Sequence, residues 1–145
     1  MKTILLSVIS LALAGLAAAE VKFPRHSFTH EKMADARKLA AEEKKPIAYV
    51  YTDKLSTCSL CNNATAEFLD AVKSKAVVVY LDSKQNKDYW NSLPAHIRDA
   101  LAKTKFIPAM AVASPGNGSL VASITYDQFK ADGRGSIREL KKCLR

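Results

Sequence analysis

The sequence predicts an α/β domain in which one mixed β-sheet of about four strands is flanked by helices. Three apolar runs, Ile47–Thr52, Ala76–Leu81 and Ala109–Ala113, are separated by segments with helical periodicity. Such alternation is typical of parallel strands joined by helical crossovers. The turn-forming residues at 115–118 then predict a hairpin between the third run and Leu120–Thr125. The hairpin adds antiparallel strands to the same sheet.

The N-terminal residues differ in composition from the rest of the chain. Lys2 precedes an apolar stretch, Ile4–Leu16, and Ala17–Ala19 follow as small residues. This order is typical of a secretory signal peptide, and the stretch is too short for a comfortable membrane span. We expect a signal peptide at 1–19 and one domain at 20–145. We also expect export, to the periplasm or outside the cell, with no stable membrane insertion after cleavage.

Four segments have helical character. Thr29 is a plausible N-cap for the first helix, and Pro46 stops that helix. Ser136 is the predicted N-cap of the last helix, after a glycine-rich loop. The predicted helices cover residues 29–44, 58–75, 89 or 92 to 104, and 136–144.

Composition narrows the function classes. The chain has a formal net charge of +8, with lysines and arginines spread along its length and few aromatic residues among them. No nucleic-acid-binding motif is present, so we expect no nucleic-acid partner. The simplest interpretation is a solvated basic surface. Attraction to acidic partner proteins or to an anionic membrane surface is the alternative.

Cys58 and Cys61 stand at the start of the second predicted helix, after a polar loop at 53–57. A helix N-terminus offers unpaired N–H groups and the positive end of a dipole, which both stabilise a thiolate. The C-x-x-C spacing lets one thiol attack a disulfide bound to the other. The pattern favours redox exchange, with Cys58 attacking and Cys61 resolving. A static structural disulfide between the two is the alternative.

Metal binding is a weaker hypothesis, because Cys58 and Cys61 supply only two ligands. His26, His30 and His96 have no ligand spacing with them, and no second C-x-x-C is present. We therefore expect no metal site and interpret the histidines as ordinary surface residues.

The third cysteine, Cys143, falls one residue off the apolar stripe Ile137, Leu140 and Leu144 of the last helix. We predict that Cys143 is a half-buried small apolar residue. Pairing with a cysteine of another chain is the alternative, because an odd cysteine in an exported protein is available for such a bond.

Taken together, these segments resemble the thioredoxin-like family over nearly all of residues 20–145. One matching feature is Lys45-Pro46 before an apolar strand that leads to the Cys-Ser-Leu-Cys motif. A second is the strand Val77–Leu81 with Asp82 after it. The third is Ile107-Pro108-Ala109 before a hairpin, which is similar to the family's Ile-Pro-Thr segment.

The resemblance implies a thioredoxin-like fold and a thiol–disulfide oxidoreductase with Cys58 and Cys61 as catalytic residues. It further implies that Pro108 is cis and that Ile107 and Pro108 bind the substrate, the backbone of Ile107 pairing to its chain. The expected partners are protein thiols and disulfides, together with a partner redox protein. No cofactor is implied beyond the two cysteines.

The sequence departs from the family pattern around the motif. Thr57 stands where thioredoxins usually have tryptophan, and the chain's single tryptophan, Trp90, belongs to a different element. Many members carry a buried acid in the strand before the motif. Counting from Pro46 places that position at Val50, and the nearest acid, Asp53, is expected in the loop.

Overall fold

A computed structural model describes residues 20–85, 87–116 and 118–145 of the chain. The predicted signal peptide at 1–19 lies outside the described residues. In the described part, no helix is both long and apolar enough to cross a membrane. The strands are β1 Phe28–Thr29, β2 Ile47–Thr52, β3 Val77–Asp82, β4 Ala109–Ala113 and β5 Leu120–Thr125. The helices are α1 Met33–Glu43, α2 Ser59–Val72, α3 Ala95–Leu101, α4 Tyr126–Ala131 and α5 Gly133–Cys143, with short 3₁₀ helices at His30–Lys32 and Lys87–Ser92.

The described strands form one mixed sheet in the order β1-β3-β2-β4-β5. β2 runs parallel to β3 and antiparallel to β4, and β4 runs antiparallel to β5. The predicted mixed sheet and its hairpin are therefore confirmed. The structure adds a fifth, two-residue strand, because Phe28 and Thr29 pair with Val79 and Tyr80 at the edge. Two residues are too few to show an alternating pattern, so only the pairing reveals this strand.

Both faces of the sheet are buried, which explains why its central strands are continuously apolar. Tyr49 of β2 faces a core shared with α1 and α3, and it is 1% exposed. Its neighbour Val50 faces the opposite core, shared with α2 and α5, and is fully buried. Successive strand residues point to opposite faces, so one strand serves both layers. The domain has helices on both sides of the sheet.

Of two predicted N-caps, Thr29 is confirmed by position and Ser136 is wrong. Thr29 is the N-cap of the 3₁₀ turn at His30–Lys32 that leads into α1, although its side chain makes no capping hydrogen bond. Ser136 lies inside α5, whose N-cap is Asp132: its carboxylate accepts a hydrogen bond of 2.9 Å from the Gly135 N–H. Asp132 stands four residues before Ser136, and its carboxylate satisfies an amide of the first turn of α5.

Helix α4 was not predicted, although its start has a sequence signature. Thr125 and Gln128 form a capping box, in which each side chain bonds the backbone of the other. The predicted helix at 89–104 is also divided, because Pro94 precedes α3 as its N-cap and separates it from the 3₁₀ turn at Lys87–Ser92. The residue before a proline is disfavoured in helical geometry, so the helix restarts there.

Candidate active site

Cys58 and Cys61 form a disulfide at the start of α2, with their Cα atoms 5.3 Å apart. Cys58 is the N-cap, and its Sγ accepts a hydrogen bond of 3.2 Å from the Cys61 N–H. Cys58 is exposed, whereas Cys61 is half-buried. Cys58 therefore carries the more accessible of the two sulfurs. The helix N–H groups that favour a thiolate lie on the same turn.

The loop at 53–57 is fixed by hydrogen bonds at both ends. The Asp53 carboxylate accepts from the Leu55 N–H at 2.8 Å, which closes an Asx-type turn. Ser56 Oγ accepts from the Cys58 N–H at 3.1 Å, and the Ser56 carbonyl accepts from Asn62 Nδ2 at 2.8 Å. Asn62 is only 6% exposed, so this contact ties the loop to the interior of α2. Asp53 lies in the loop, as predicted.

A pair of threonine hydroxyls links β2 to α2 inside the domain. Thr65 Oγ1 donates to the Cys61 carbonyl at 2.9 Å and lies 3.1 Å from Thr52 Oγ1. Because the single Thr65 proton is used on that carbonyl, Thr52 is the donor in the pair. Thr52 is 1% exposed and Thr65 is fully buried.

Thr52, and not Val50, is the residue of β2 that is linked to the motif by hydrogen bonds, through Thr65. Val50, the position obtained by counting from Pro46, is buried with the apolar side chains between β2 and α2. The loop before the cysteines is longer than a count from Pro46 assumes, so the register moves by two residues.

Tyr80 of β3 forms a hydrogen bond with the same loop. Its hydroxyl accepts from the Lys54 N–H at 3.3 Å, and the Lys54 ammonium lies 4.8 Å from the ring centroids of both Tyr80 and Phe23. Burial is the main cause that raises the pKa of Tyr80 to about 12, and the nearby Asp82 and Asp53 charges add to it. The neutral phenol anchors the middle of the loop.

The Ile107–Pro108 peptide bond is cis, as the resemblance implies. Tyr51 pairs with Ala109, so the start of β4 lies next to the end of β2, from which the loop leads to Cys58. Pro108 is buried and its carbonyl accepts from the Tyr126 N–H at 2.9 Å, while Ile107 is half-buried. The sheet thus brings the proline segment and the segment that leads to the cysteines to one end of the domain. Their roles in catalysis and substrate binding stay predictions.

Solved structures share this architecture at low sequence identity. A disulphide isomerase from Xylella fastidiosa Temecula1 aligns with a TM-score of 0.59 at 17% identity, covering 88% of this chain and 100% of that one. The sheet order, the C-x-x-C at the start of α2 and this alignment agree. The chain has a thioredoxin-like fold.

Two further structures align less closely with this thioredoxin-like chain. The DsbH oxidoreductase has a TM-score of 0.46 at 14% identity, covering 95% of this chain and 94% of that one. The germline-specific thioredoxin Deadhead from Drosophila melanogaster has a TM-score of 0.46 at 18% identity, covering 75% and 94%. No family model and no curated protein sequence matches the chain.

Three exposed apolar side chains lie on the segments that form this end of the thioredoxin-like domain. Leu55 is 84% exposed, Leu60 65% and Phe106 60%, the highest values for large apolar side chains in the described chain. Leu55 belongs to the loop, Leu60 stands between the cysteines and Phe106 precedes Ile107. We call these three residues the apolar rim. The apolar rim was not predicted from the sequence, although each of its residues is an apolar side chain in or beside a motif.

Trp90 packs in the core layer beside β2, whereas Thr57, which departs from the family pattern, is exposed. The Trp90 ring packs edge-on against Tyr51 at 5.5 Å between centroids, at the end of β2. It also contacts Tyr89 at 6.4 Å. Although distant in sequence from the motif, the tryptophan therefore packs against the strand that leads to it.

No group of three or more His, Cys, Asp or Glu side chains gathers into a metal-ligating cluster among residues 20–85, 87–116 and 118–145. His30 stacks on Tyr89 at 4.6 Å, and a ring nitrogen of His96 contacts the Gly118 carbonyl. His26 is exposed on the surface.

Cys143 is an exposed free thiol, so the prediction of a half-buried residue is wrong. Leu140 occupies the inward face of α5 and is 3% exposed. Cys143 lies three positions further along and is exposed, although the adjacent Leu144 still packs partly buried against the core. Experiments on the other two cysteines therefore need a background without this thiol.

Proposed function

We propose that the protein is an exported thiol–disulfide oxidoreductase that exchanges disulfides with protein substrates. The observation that carries the proposal is the disulfide itself: Cys58 is exposed at the N-terminus of α2, whereas its partner Cys61 is half-buried. An incoming thiolate meets Cys58 first, and the helix N-terminus stabilises the thiolate that forms there after reduction.

In the oxidising direction, a substrate thiolate attacks Cys58 Sγ. The new bond joins the substrate sulfur to Cys58, the Cys58–Cys61 bond breaks, and Cys61 leaves as a thiolate. A second substrate thiolate then attacks the substrate sulfur of the mixed disulfide, the bond to Cys58 breaks, and Cys58 leaves as a thiolate. The substrate leaves with a disulfide, having given two electrons to the protein. The same steps in reverse reduce a substrate disulfide.

The apolar rim supports a polypeptide substrate. Leu55, Leu60 and Phe106 keep large apolar surfaces in water, a feature that marks protein interaction sites when such residues group together. The Ile107–Pro108 segment lies at the same end and is proposed to hold the partner chain. Because each turnover changes the state of the cysteines, a partner redox protein must restore them.

Export belongs to the proposal as well. It is based on the signal-peptide pattern at 1–19, and a disulfide persists in an oxidising compartment such as the periplasm or the cell exterior. Mass spectrometry of the N-terminus after expression in a host that secretes proteins tests this part. A mature chain that begins near Glu20 in the exported fraction supports it, and a retained full-length chain contradicts it.

Trapping tests the exchange chemistry. In a Cys143→Ser background, Cys61→Ala removes the resolving thiol, and the matched control Cys58→Ala removes the attacking one. The Cys61→Ala variant is expected to accumulate mixed disulfides with exported proteins, which disappear on reduction. The Cys58→Ala variant is expected to accumulate far fewer, because its remaining thiol is half-buried.

Equal and negligible trapping by both variants, together with no insulin reduction and no oxidative refolding activity, would contradict the proposal. That result would favour a thioredoxin-like binding module in which the disulfide is structural.

A further inference from the structure

A recess of about 530 Å³ lies between α2, α4 and α5, away from the disulfide. Its apolar floor contains Phe129 and Ile137, which pack partly buried against the core, and the Phe129 ring contacts Phe68 edge-on at 5.7 Å. Glu67 of α2 lines the opposite side. At 1.5 Å per helical residue, Glu67 is about 13 Å along α2 from Cys58. The recess is therefore separate from the candidate active site.

Four cations border this recess: Arg134, Arg138, Lys141 and Arg145. Their spacings of four, three and four residues place them on one stripe of α5 and its C-terminal extension. All four are exposed. None makes an ion pair or a side-chain hydrogen bond within the part of the chain that the structure describes. We call the recess and these four residues the basic recess.

Two acids close to the stripe already form ion pairs with lysines outside it. Asp70 pairs with Lys73 at 2.6 Å, and Glu139 pairs with Lys142 at 2.7 Å. These lysines are the main cause that lowers the pKa of each carboxyl, with Lys141 contributing at Asp70 and Arg138 at Glu139. Glu67 alone among the acids lines the recess. The positive charge along α5 is thus largely uncompensated.

We propose that the basic recess binds an acidic segment of a partner protein, one in which an apolar side chain is flanked by carboxylates. Arginine forks bind carboxylates with two parallel hydrogen bonds, and Arg134 and Arg138 stand one helical turn apart. The apolar floor accepts the side chain between them. The recess is concave, and its volume falls within the range of about 300–1,000 Å³ that is typical of ligand sites.

A flat bilayer surface could contact the four cations but could not enter the recess to contact its apolar floor. The concave shape therefore favours a protein segment over a membrane as the partner. Glu67 supplies an acceptor for a backbone N–H of the bound segment and opposes a purely anionic surface. The binding site goes beyond the proposed redox function and does not depend on it.

The test is an NMR titration of the ¹⁵N-labelled protein with the peptide acetyl-Glu-Glu-Leu-Glu-Glu-amide. The amides of Glu67, Gly133 and Arg134 are expected to shift saturably. Raising the salt from about 50 mM to about 300 mM is expected to weaken binding severalfold. A peptide with Ser in place of Leu is expected to bind less tightly, because it leaves the floor empty.

Two double charge-reversal variants distinguish binding at the basic recess from a general effect of the protein's net charge. Arg134→Glu with Arg138→Glu is expected to weaken peptide binding about tenfold or more. The matched control, Lys32→Glu with Lys38→Glu, changes the net charge equally on exposed positions of the other helix layer. It is expected to bind normally. Exchange with a small disulfide reagent is expected to be unaffected by either double variant, since both lie away from Cys58.

Three results would overturn the proposal. One is the absence of a saturable shift in the unmodified protein, and another is an equal loss in both double variants. The third is binding to phosphatidylglycerol vesicles through Arg134 and Arg138 without any binding of the peptide, which would assign this face to a membrane surface.

Discussion

Thr52 Oγ1 lies 3.1 Å from Thr65 Oγ1, inside the domain between strand β2 and the helix that carries both cysteines. From Thr65 the hydrogen bonds continue to the Cys61 carbonyl at 2.9 Å. The buried polar residues of the described chain are Thr52, Asn62, Thr65 and Thr125, so no carboxylate is buried there. Neither threonine hydroxyl accepts a proton near neutral pH. The described part of the chain therefore provides no buried carboxylate as an acceptor for the proton of a reduced Cys61.

The threonine pair is expected to couple strongly in unfolding experiments. Thr65→Val should lower the free energy of unfolding by about 1–3 kcal/mol, because it leaves the buried Thr52 hydroxyl and the Cys61 carbonyl without their partner. The double variant with Thr52→Val should cost less than the sum of the single changes. Urea denaturation measures all three, with Thr57→Val as the exposed control, expected within about 0.5 kcal/mol of wild type. Strict additivity would contradict the hydrogen-bonded pair.

Reduction of the disulfide is expected to lower stability modestly. Cys58 and Cys61 close a very short loop, for which loop-closure entropy predicts about 2 kcal/mol. Urea unfolding of oxidised and reduced protein, both in a Cys143→Ser background, checks this value. A reduced protein that is more stable than the oxidised one would contradict the expectation. It would indicate that interactions at the helix N-terminus favour the Cys58 thiolate by more than the loop closure contributes.

Tyr80 is expected to make the protein less stable as the pH rises above 10. Its pKa is about 12 in the folded protein, against an ordinary value of 10.0, so between these values the unfolded chain loses a proton that the folded chain keeps. Stability then falls with pH, by up to about 1.4 kcal/mol per pH unit for this group.

Tyr80→Phe should remove this contribution and flatten the dependence of the unfolding free energy between pH 10 and 11.5. Burial also raises the pKa of Tyr89, so some slope should remain in the variant. Equal slopes for the variant and the wild type would show that the Tyr80 hydroxyl is not protected by the fold.

The effect of Gly135→Ala on the free energy of unfolding is expected to depend on whether Asp132 is present to cap α5. A methyl group at this position would lie 2.0 Å from Asp132 Oδ2, so Gly135→Ala must displace the capping carboxylate. Loss of the cap costs about 1 kcal/mol, and the higher helix propensity of alanine offsets it by a similar amount.

The net effect of Gly135→Ala should therefore be close to zero in the wild type. In an Asp132→Ala background, where no cap remains to be lost, the same change should stabilise by about 1 kcal/mol. Thermal unfolding of the four proteins in this cycle measures the difference. Equal stabilisation in both backgrounds would contradict the cap geometry.

Local sequence was sufficient wherever the structural signal is contained in one segment. The bounds of β2, β4 and β5 agree with the prediction. β2 and β4 are continuous apolar runs, and β5 follows the clear turn that joins it to β4. The position of Cys58 at the start of α2 was also predictable, since helical periodicity begins there. The fold class followed from the order of these segments.

Tertiary structure decided what depends on neighbours that are distant in sequence. The pairing of β1 with β3, the hydrogen-bonded contact of Thr52 with Thr65, and the packing of Trp90 on Tyr51 all require contacts between separate elements. The exposure of Cys143 and the assembly of the basic recess belong to the same class. Apolar periodicity in a segment predicts which of its residues are buried, but it does not predict which residues of other segments they contact. The C-x-x-C motif was thus visible in the sequence, whereas its surroundings were determined only by the tertiary structure.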